Sequence, residues 1–154
     1  MMILTALKAD HDKVKKLLNT ILATEDAEKR GTLFEQFKTE LTPHSRAEEK
    51  VLYARLEKTE EGKDEALEGT VEHEVVDRLV EDLSDTARVE SDRWTARCEV
   101  LRELLEHHIE EEEGDFFKTA RKLFDRQALD KMGEEFATEK RKHSDTISQK
   151  TAAE

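Results

Sequence analysis

Four histidines and two glutamates in this chain have the types and the spacing to hold metal ions. His44 and Glu48 are four residues apart, and so are His108 and Glu112. Residues at i and i+4 on a helix lie about 6 Å apart on one face, so each pair offers an imidazole and a carboxylate to the same side. His11 precedes His44 by 33 residues and His73 precedes His108 by 35. HDKVKKL at 11–17 matches HEVVDRL at 73–79, and HSRAEEKVLY at 44–53 matches HIEEEEGDFF at 108–117. The chain thus holds two copies of H…HxxxEExxΦΦ, where Φ is apolar or aromatic. Two carboxylates can bridge a pair of cations at roughly 3.5–4 Å while four imidazoles cap them. Mixed imidazole and carboxylate donors suit iron, and also manganese or zinc. Six protein ligands for two ions leave open positions for a solvent bridge and a small exogenous ligand.

These residues matter only if the elements that carry them turn them inward. Apolar residues recur at helical spacing along four long segments. Helix 1, about 3–23, has the seam Leu4, Leu7, Val14, Leu18 and Ile21, with His11 filling its gap. Helix 2, about 27–58, runs Phe34, Phe37 and Leu41 into His44, Glu48 and Leu52. Pro43 lies inside it and removes a backbone donor, which predicts a kink or restart. EEGKDE at 60–65 reads as the central turn. Helix 3, about 64–87, carries Ala66, Gly69, His73, Val76, Val80 and Leu83, and SDTARVES at 84–91 reads as the next connection. Helix 4, about 91–113 with a possible extension to 124, carries Trp94, Cys98, Leu101, Leu105, His108, Glu112 and Phe116 at spacings 4-3-4-3-4-4. Asp125 is placed to cap a fifth helix, 126–142, with Leu129, Met132 and Phe136. A frayed tail is expected at 143–154. The predicted fold is all-α, an up-down-up-down four-helix bundle with the short fifth helix packed outside or across one end.

The seam and the repeat choose the same members of the run EHHIEEEE. His108 continues the Trp94, Cys98, Leu101, Leu105 stripe, whereas His107 follows Arg97, Val100 and Leu104. A lone HxxxE pair arises by chance in a Glu-rich helical chain, and EEEE alone describes a solvated face. What selects His11, His44, Glu48, His73, His108 and Glu112 is their joint place on the seams, since an unpartnered carboxylate is costly to bury. His107, Glu49, Glu110, Glu111 and Glu113 read as exposed. Asp77, four residues after His73, reads equally as a hydrogen-bond acceptor for that histidine or as a surface acid. His143 falls in the tail.

Composition narrows the partners. The chain has 154 residues, enough for one domain with a core, and a net charge of −12. That charge argues against nucleic acid and against an anionic membrane surface. Only 5 Gly and 1 Pro are present and 42% of residues are charged, which favours helices. The single cysteine, Cys98, excludes an internal disulfide and lies on an apolar stripe, where a buried structural thiol is expected. MMILTALKADH lacks a basic leader region, so no signal peptide is expected. No stretch approaches the ~18 apolar residues of a membrane span. The cytoplasm is the expected location and a monomer the expected state.

Ferritin-like carboxylate bundles place Glu three residues before His. Here those positions hold Lys8, Leu41, Thr70, Leu104, Leu105 and Lys140. The reversed order, His first and Glu four later on a duplicated hairpin, resembles the hemerythrin-like HHE cation-binding family over about residues 3–140. FDRQALDKMGEEF, 124–136, is similar to that family's closing helix. The resemblance implies a four-helix bundle with two non-haem iron ions bridged by two carboxylates and an oxo or hydroxo group. Its ligands would be His11, His44, Glu48, His73, His108 and Glu112. The oxygen-carrying branch has a second His four residues after the third-helix His, and an Asp five residues after the fourth-helix His. Here Asp77 and Glu113 stand there. The four-His, two-Glu set therefore resembles bacterial members tied to nitric oxide, peroxide or iron–sulfur repair, and iron-sensing relatives. It implies binding or reduction of O₂, NO or peroxide in a stress response, with catalase-like peroxide decomposition as one form. The alternative is a non-enzymatic iron or oxygen sensor or an iron donor. A metal-free helical interaction module is the third option. Tyr53 is a candidate proton donor, although its counterpart Phe117 favours a packing role.

Overall fold

The computed structural model describes residues 1–85 and 88–153, with side chains described up to 147. Among these residues the chain is all-helical. Helix α1 is Ile3–Ala23. Helix α2 spans 27–57 and helix α4 spans 92–123, each containing one wide π turn. Helix α3 is Lys63–Asp85 and helix α5 is Arg126–Ala153.

Local chemistry sets the helix starts. The Asp26 carboxylate accepts from the Lys29 N–H at 2.9 Å, and the Ser91 hydroxyl accepts from the Trp94 N–H at 3.2 Å. Asp125 accepts from the Ala128 N–H at 2.8 Å, as its position predicted. Such caps are worth about 1 kcal/mol each. Between α4 and α5, Phe124 is extended, and the chain turns there.

Pro43 produces no restart. Helix α2 runs unbroken from Ala27 to Glu48, and the irregularity falls later, at the π turn Glu49–Tyr53. A second π turn, Glu112–Phe116, occupies nearly the same place in the second hairpin. The buried residues explain both. His44, Glu48, Leu52 and Leu56 are each four apart, as are His108, Glu112, Phe116 and Ala120, and all eight are buried. In a regular helix each step of four overshoots one turn by about 40°, so three steps drift about 120° off the core face. A π turn takes up an extra residue and returns the stripe to the interior.

The last helix also departs from the expected boundary. It continues through the tail expected at 143–154 as far as Ala153; residue 154 and the side chains of 148–153 lie outside the described residues. Residues 86–87, within the expected connection at 84–91, lie outside them as well.

Two apolar clusters form the core. One gathers Ile3, Leu7, Leu52, Leu56, Phe116 and Phe117 with Met132 and Phe136 of α5. The other gathers Leu18, Ile21, Phe37, Trp94, Cys98 and Leu101. All four helices α1–α4 contribute to both clusters, and along each of them the selected histidines and glutamates fall at or beside the junction of its two contributions. Helix α5 packs along α1 and α2 and joins the first cluster alone. At the far end the buried Arg30 donates to the carbonyls of Ile21 and Val89 and to Thr95, tying α1, the connection before α4, and α4 itself. Cys98 is fully buried, and burial pushes its thiol up to about 11, which makes it an inert structural residue. No helix among the described residues is long and apolar enough to cross a membrane.

Candidate metal centre

The six selected residues meet in one buried layer, and none is more than 4% exposed. Their Nε2 atoms and carboxylate oxygens converge. His73 Nε2 lies 3.2 Å from Glu48, His108 Nε2 lies 3.1 Å from Glu112, and His11 Nε2 lies 3.3 Å from Glu112. His44 Nε2 is 3.9 Å from Glu48. Two groups with mutual donor distances within 4.8 Å emerge: Glu48, His73, His108 and Glu112, and His11, His44 and Glu48. Glu48 belongs to both.

Each imidazole is held from behind by a carboxylate on Nδ1. His11 pairs with Glu113 at 2.7 Å, His44 with Asp10 at 2.9 Å, His73 with Glu49 at 2.6 Å and His108 with Glu72 at 3.1 Å. With Nδ1–H donating outward, Nε2 of every ring faces the centre, and loss of any proton there gives the tautomer a metal ligand requires. The bonds follow the repeat. Asp10 and Glu72 each precede the histidine of their own helix and serve the histidine of the next. Glu49 and Glu113 each follow a core glutamate and serve a ring on another helix.

Three sequence assignments change here. Glu49 and Glu113 are not simple surface acids; they are partly buried and fix His73 and His11. Asp77 does not accept from His73, because it pairs with Arg46 at 2.7 Å and the His73 Nδ1 is already taken. Tyr53 is more than a packing aromatic. Its ring is buried and stacks on His73 with centroids 5.3 Å apart, while its hydroxyl donates to Glu112 at 2.5 Å and lies 3.4 Å from His108 Nε2. His107 and Glu110 are exposed, as expected.

The layer also holds carboxylate oxygens without partners. Both oxygens of Glu48 and Oε1 of Glu112 are buried without a hydrogen-bond partner. Such oxygens cost several kcal/mol unless a positive group compensates them. Burial and then the neighbouring Glu112 push the Glu48 carboxyl well above the usual range. Burial acts on Glu112 in the same direction, but Glu48 beside it and the imidazoles of His108 and His11 hold it well below that range. Ionising both carboxyls together is therefore disfavoured without an added cation. Imidazole and carboxylate donors with unpaired oxygens fit a transition-metal pair.

A sequence profile described as the Hemerythrin HHE cation binding domain matches residues 2–120. The chain belongs to that family. It is also 27% identical over 136 residues to a protein of Nostoc sp. (strain PCC 7120) named DNA nickase; the alignment takes in 88% of this chain and 38% of that protein. The chain thus spans well under half the length of that relative. No solved structure matches it significantly. As a hemerythrin-like chain with a buried His/Glu cluster, it is a metal-binding protein.

Two predictions follow from the geometry around this centre. Gly69 leaves room for Tyr53: a Cβ there would lie 2.8 Å from the Tyr53 ring carbons and hydroxyl. Gly69→Ala is expected to displace the phenol from Glu112 and destabilise the protein by about 1–3 kcal/mol, read by urea unfolding. Unchanged stability would mean that the ring moves aside freely. The second concerns pH. Burial lowers the affinity of His108 for a proton, but Glu112 and Glu72 outweigh it and raise the ring to about 9. In the metal-free protein this protonation stabilises the fold below the ordinary value near 6.5, and the contribution is lost as pH rises through about 9. A metal must displace that proton, so metal affinity should climb by about tenfold per pH unit or more between pH 6.5 and 8.5. Competition titrations at the two pH values measure it; a flat profile would show that no proton is displaced.

Proposed function

We infer that the chain is a non-haem di-iron protein that binds or reduces a small ligand, O₂, NO or peroxide, in an oxidative or nitrosative stress response. His11, His44, Glu48, His73, His108 and Glu112 would hold the two ions, with an oxo or hydroxo group completing the centre. When bound, the iron pair supplies the electrons and the open coordination positions for the small ligand. The chain supplies the rest. Four carboxylates on Nδ1 hold the imidazoles in register, and the two apolar clusters keep bulk water out. Burial, then Glu112 and Glu48, keep the Tyr53 phenol well above its usual range, so it stays protonated and can present a proton beside Glu112 Oε2. An up-down-up-down course for α1–α4 is supported by the alternating order in which they reach the two apolar clusters.

The observation that carries this reading is the set of partnerless buried carboxylate oxygens inside a ring of four inward Nε2 atoms. A cytoplasmic monomer without a membrane or nucleic-acid partner is the proposed setting. The Nostoc relative's name invokes DNA, but this chain carries a charge of −12, and phosphate binding needs a basic face.

Metal analysis with an optical spectrum tests the proposal: about two irons per chain with near-ultraviolet charge-transfer absorption is the expected result. Protein free of metal after gentle purification would favour a helical interaction module instead. For the catalase-like form, protein loaded with Fe(II) is given H₂O₂ and oxygen release is followed. Turnover no higher than in a His108→Ala, Glu112→Ala variant would leave the sensor or iron-donor reading, which the dependence of the buried carboxylates on metal also supports.

A further inference from the structure

Three of the four carboxylates that hold the imidazoles are themselves backed by a cationic side chain. Glu113 has Lys8 at 3.7 Å, Asp10 has Lys140 at 2.8 Å and Glu49 has Arg46 at 3.1 Å. Glu72, which holds His108, has no lysine or arginine partner among the described residues. In the place of one, the chain sets His107 and Glu111 from α4, a pair at i and i+4 with Nε2 3.0 Å from the carboxylate. Glu72, His107 and Glu111 bring three ligand atoms within 4.8 Å of one another. Glu111 also has no lysine or arginine partner among the described residues. The adjoining hollow shares Glu111 and is lined by Glu65, whose buried Oε2 has no hydrogen-bond partner. Lys118 lines that hollow too, yet pairs with neither Glu72 nor Glu111 among the described residues.

We propose that Glu72, His107 and Glu111 form a third cation site on the outer surface of α3 and α4, which takes a divalent transition-metal ion such as Zn²⁺, Mn²⁺ or Fe²⁺. One imidazole and two carboxylates are a borderline donor set for such ions. The side-chain exposures of 24%, 64% and 32% for Glu72, His107 and Glu111 leave water to complete the coordination. The ion fills the electrostatic role that Lys8, Lys140 and Arg46 fill for the other three carboxylates. Through Glu72 it sits one carboxylate away from His108, so outer and inner sites share a polarised link.

The test uses the full chain with its inner centre loaded as purified, titrated with ZnCl₂ by calorimetry. The wild type is expected to bind one zinc more than His107→Ala or Glu111→Gln, both exposed or half-exposed positions outside the inner ligand set. Their zinc affinity should fall by about tenfold or more, in line with the 10–100-fold cost of losing even an indirect partner of a metal. His107→Lys restores a positive charge without a neutral nitrogen donor. If that variant binds zinc as the wild type does, or if His107→Ala loses nothing, the proposal is overturned. The readout is a difference between variants, so it stands apart from the iron assignment. An inner centre that fails to hold two irons sinks the di-iron reading alone, while an unaltered zinc isotherm in His107→Ala sinks the outer site alone.

Discussion

Chelating the metal from the folded protein is expected to lower its melting temperature by about 8–16 °C. The estimate combines a linkage stabilisation of about 4 kcal/mol at free metal a thousandfold above its dissociation constant with ~2–4 °C per kcal/mol for a chain of this size. The physical cause is specific. Glu48 and Glu112 have no exposed surface, and three of their four oxygens have no hydrogen-bond partner. Without metal the layer relieves its negative charge by taking up protons, which burial and Glu112 favour at Glu48, while Glu112 leans on His11 and His108. That arrangement is folded but weaker, because a proton neutralises one carboxyl whereas two divalent ions satisfy every donor at once. Calorimetric scans of metal-loaded and metal-stripped protein measure the gap. A difference of only a degree or two would mean that the buried acids are content without metal, and the metal reading would lose its main physical support.

The two bridging carboxylates should respond differently to the same isosteric change. Glu48→Gln is expected to abolish stable binding of the metal pair while leaving the metal-free protein within about 1 kcal/mol of wild type, because burial and the neighbouring Glu112 already favour the neutral form of Glu48 there. Its scan after metal addition should overlay that of stripped wild type. Glu112→Gln should lose the metal as well and also destabilise the metal-free protein by about 1.5–3 kcal/mol, the range for hydrogen bonds to a charged group. It removes the ionised partner of His108, His11 and the Tyr53 hydroxyl. Metal stoichiometry and urea unfolding of the stripped variants decide this. Equal costs for the two substitutions would contradict the assignment of the proton to Glu48.

The six inward residues were legible because helix period is a property of the chain alone. His11, His44, Glu48, His73, His108 and Glu112 sit on apolar seams at 3.6-residue spacing, and the duplicated hairpin removed the ambiguity between His107 and His108. The π turns left a signal too. Three successive steps of four at 44–56 and at 108–120 cannot stay on one face of a regular helix. By contrast, Pro43 suggested a break that the helix does not make.

The supporting shell was not legible in the same way. Asp12, Glu74 and Asp77 are neighbours of His11 and His73 in sequence, but the acceptors are Asp10, Glu49, Glu72 and Glu113, each reaching a ring on a different helix. One residue along a helix is a turn of about 100°, which is enough to move an acid from solvent to a neighbouring histidine. Which acid benefits depends on the distances and axial offsets at which the helices pack against one another. The same holds for Tyr53, whose partner Glu112 lies 59 residues away, and for the meeting of Glu72 with His107 and Glu111. The sequence by itself determined which side chains face inward, because burial of apolar stripes fixes each helix's rotation. Only the tertiary structure decided what stands behind those side chains, because hydrogen bonds of about 3 Å depend on inter-helix distances that no single helix encodes.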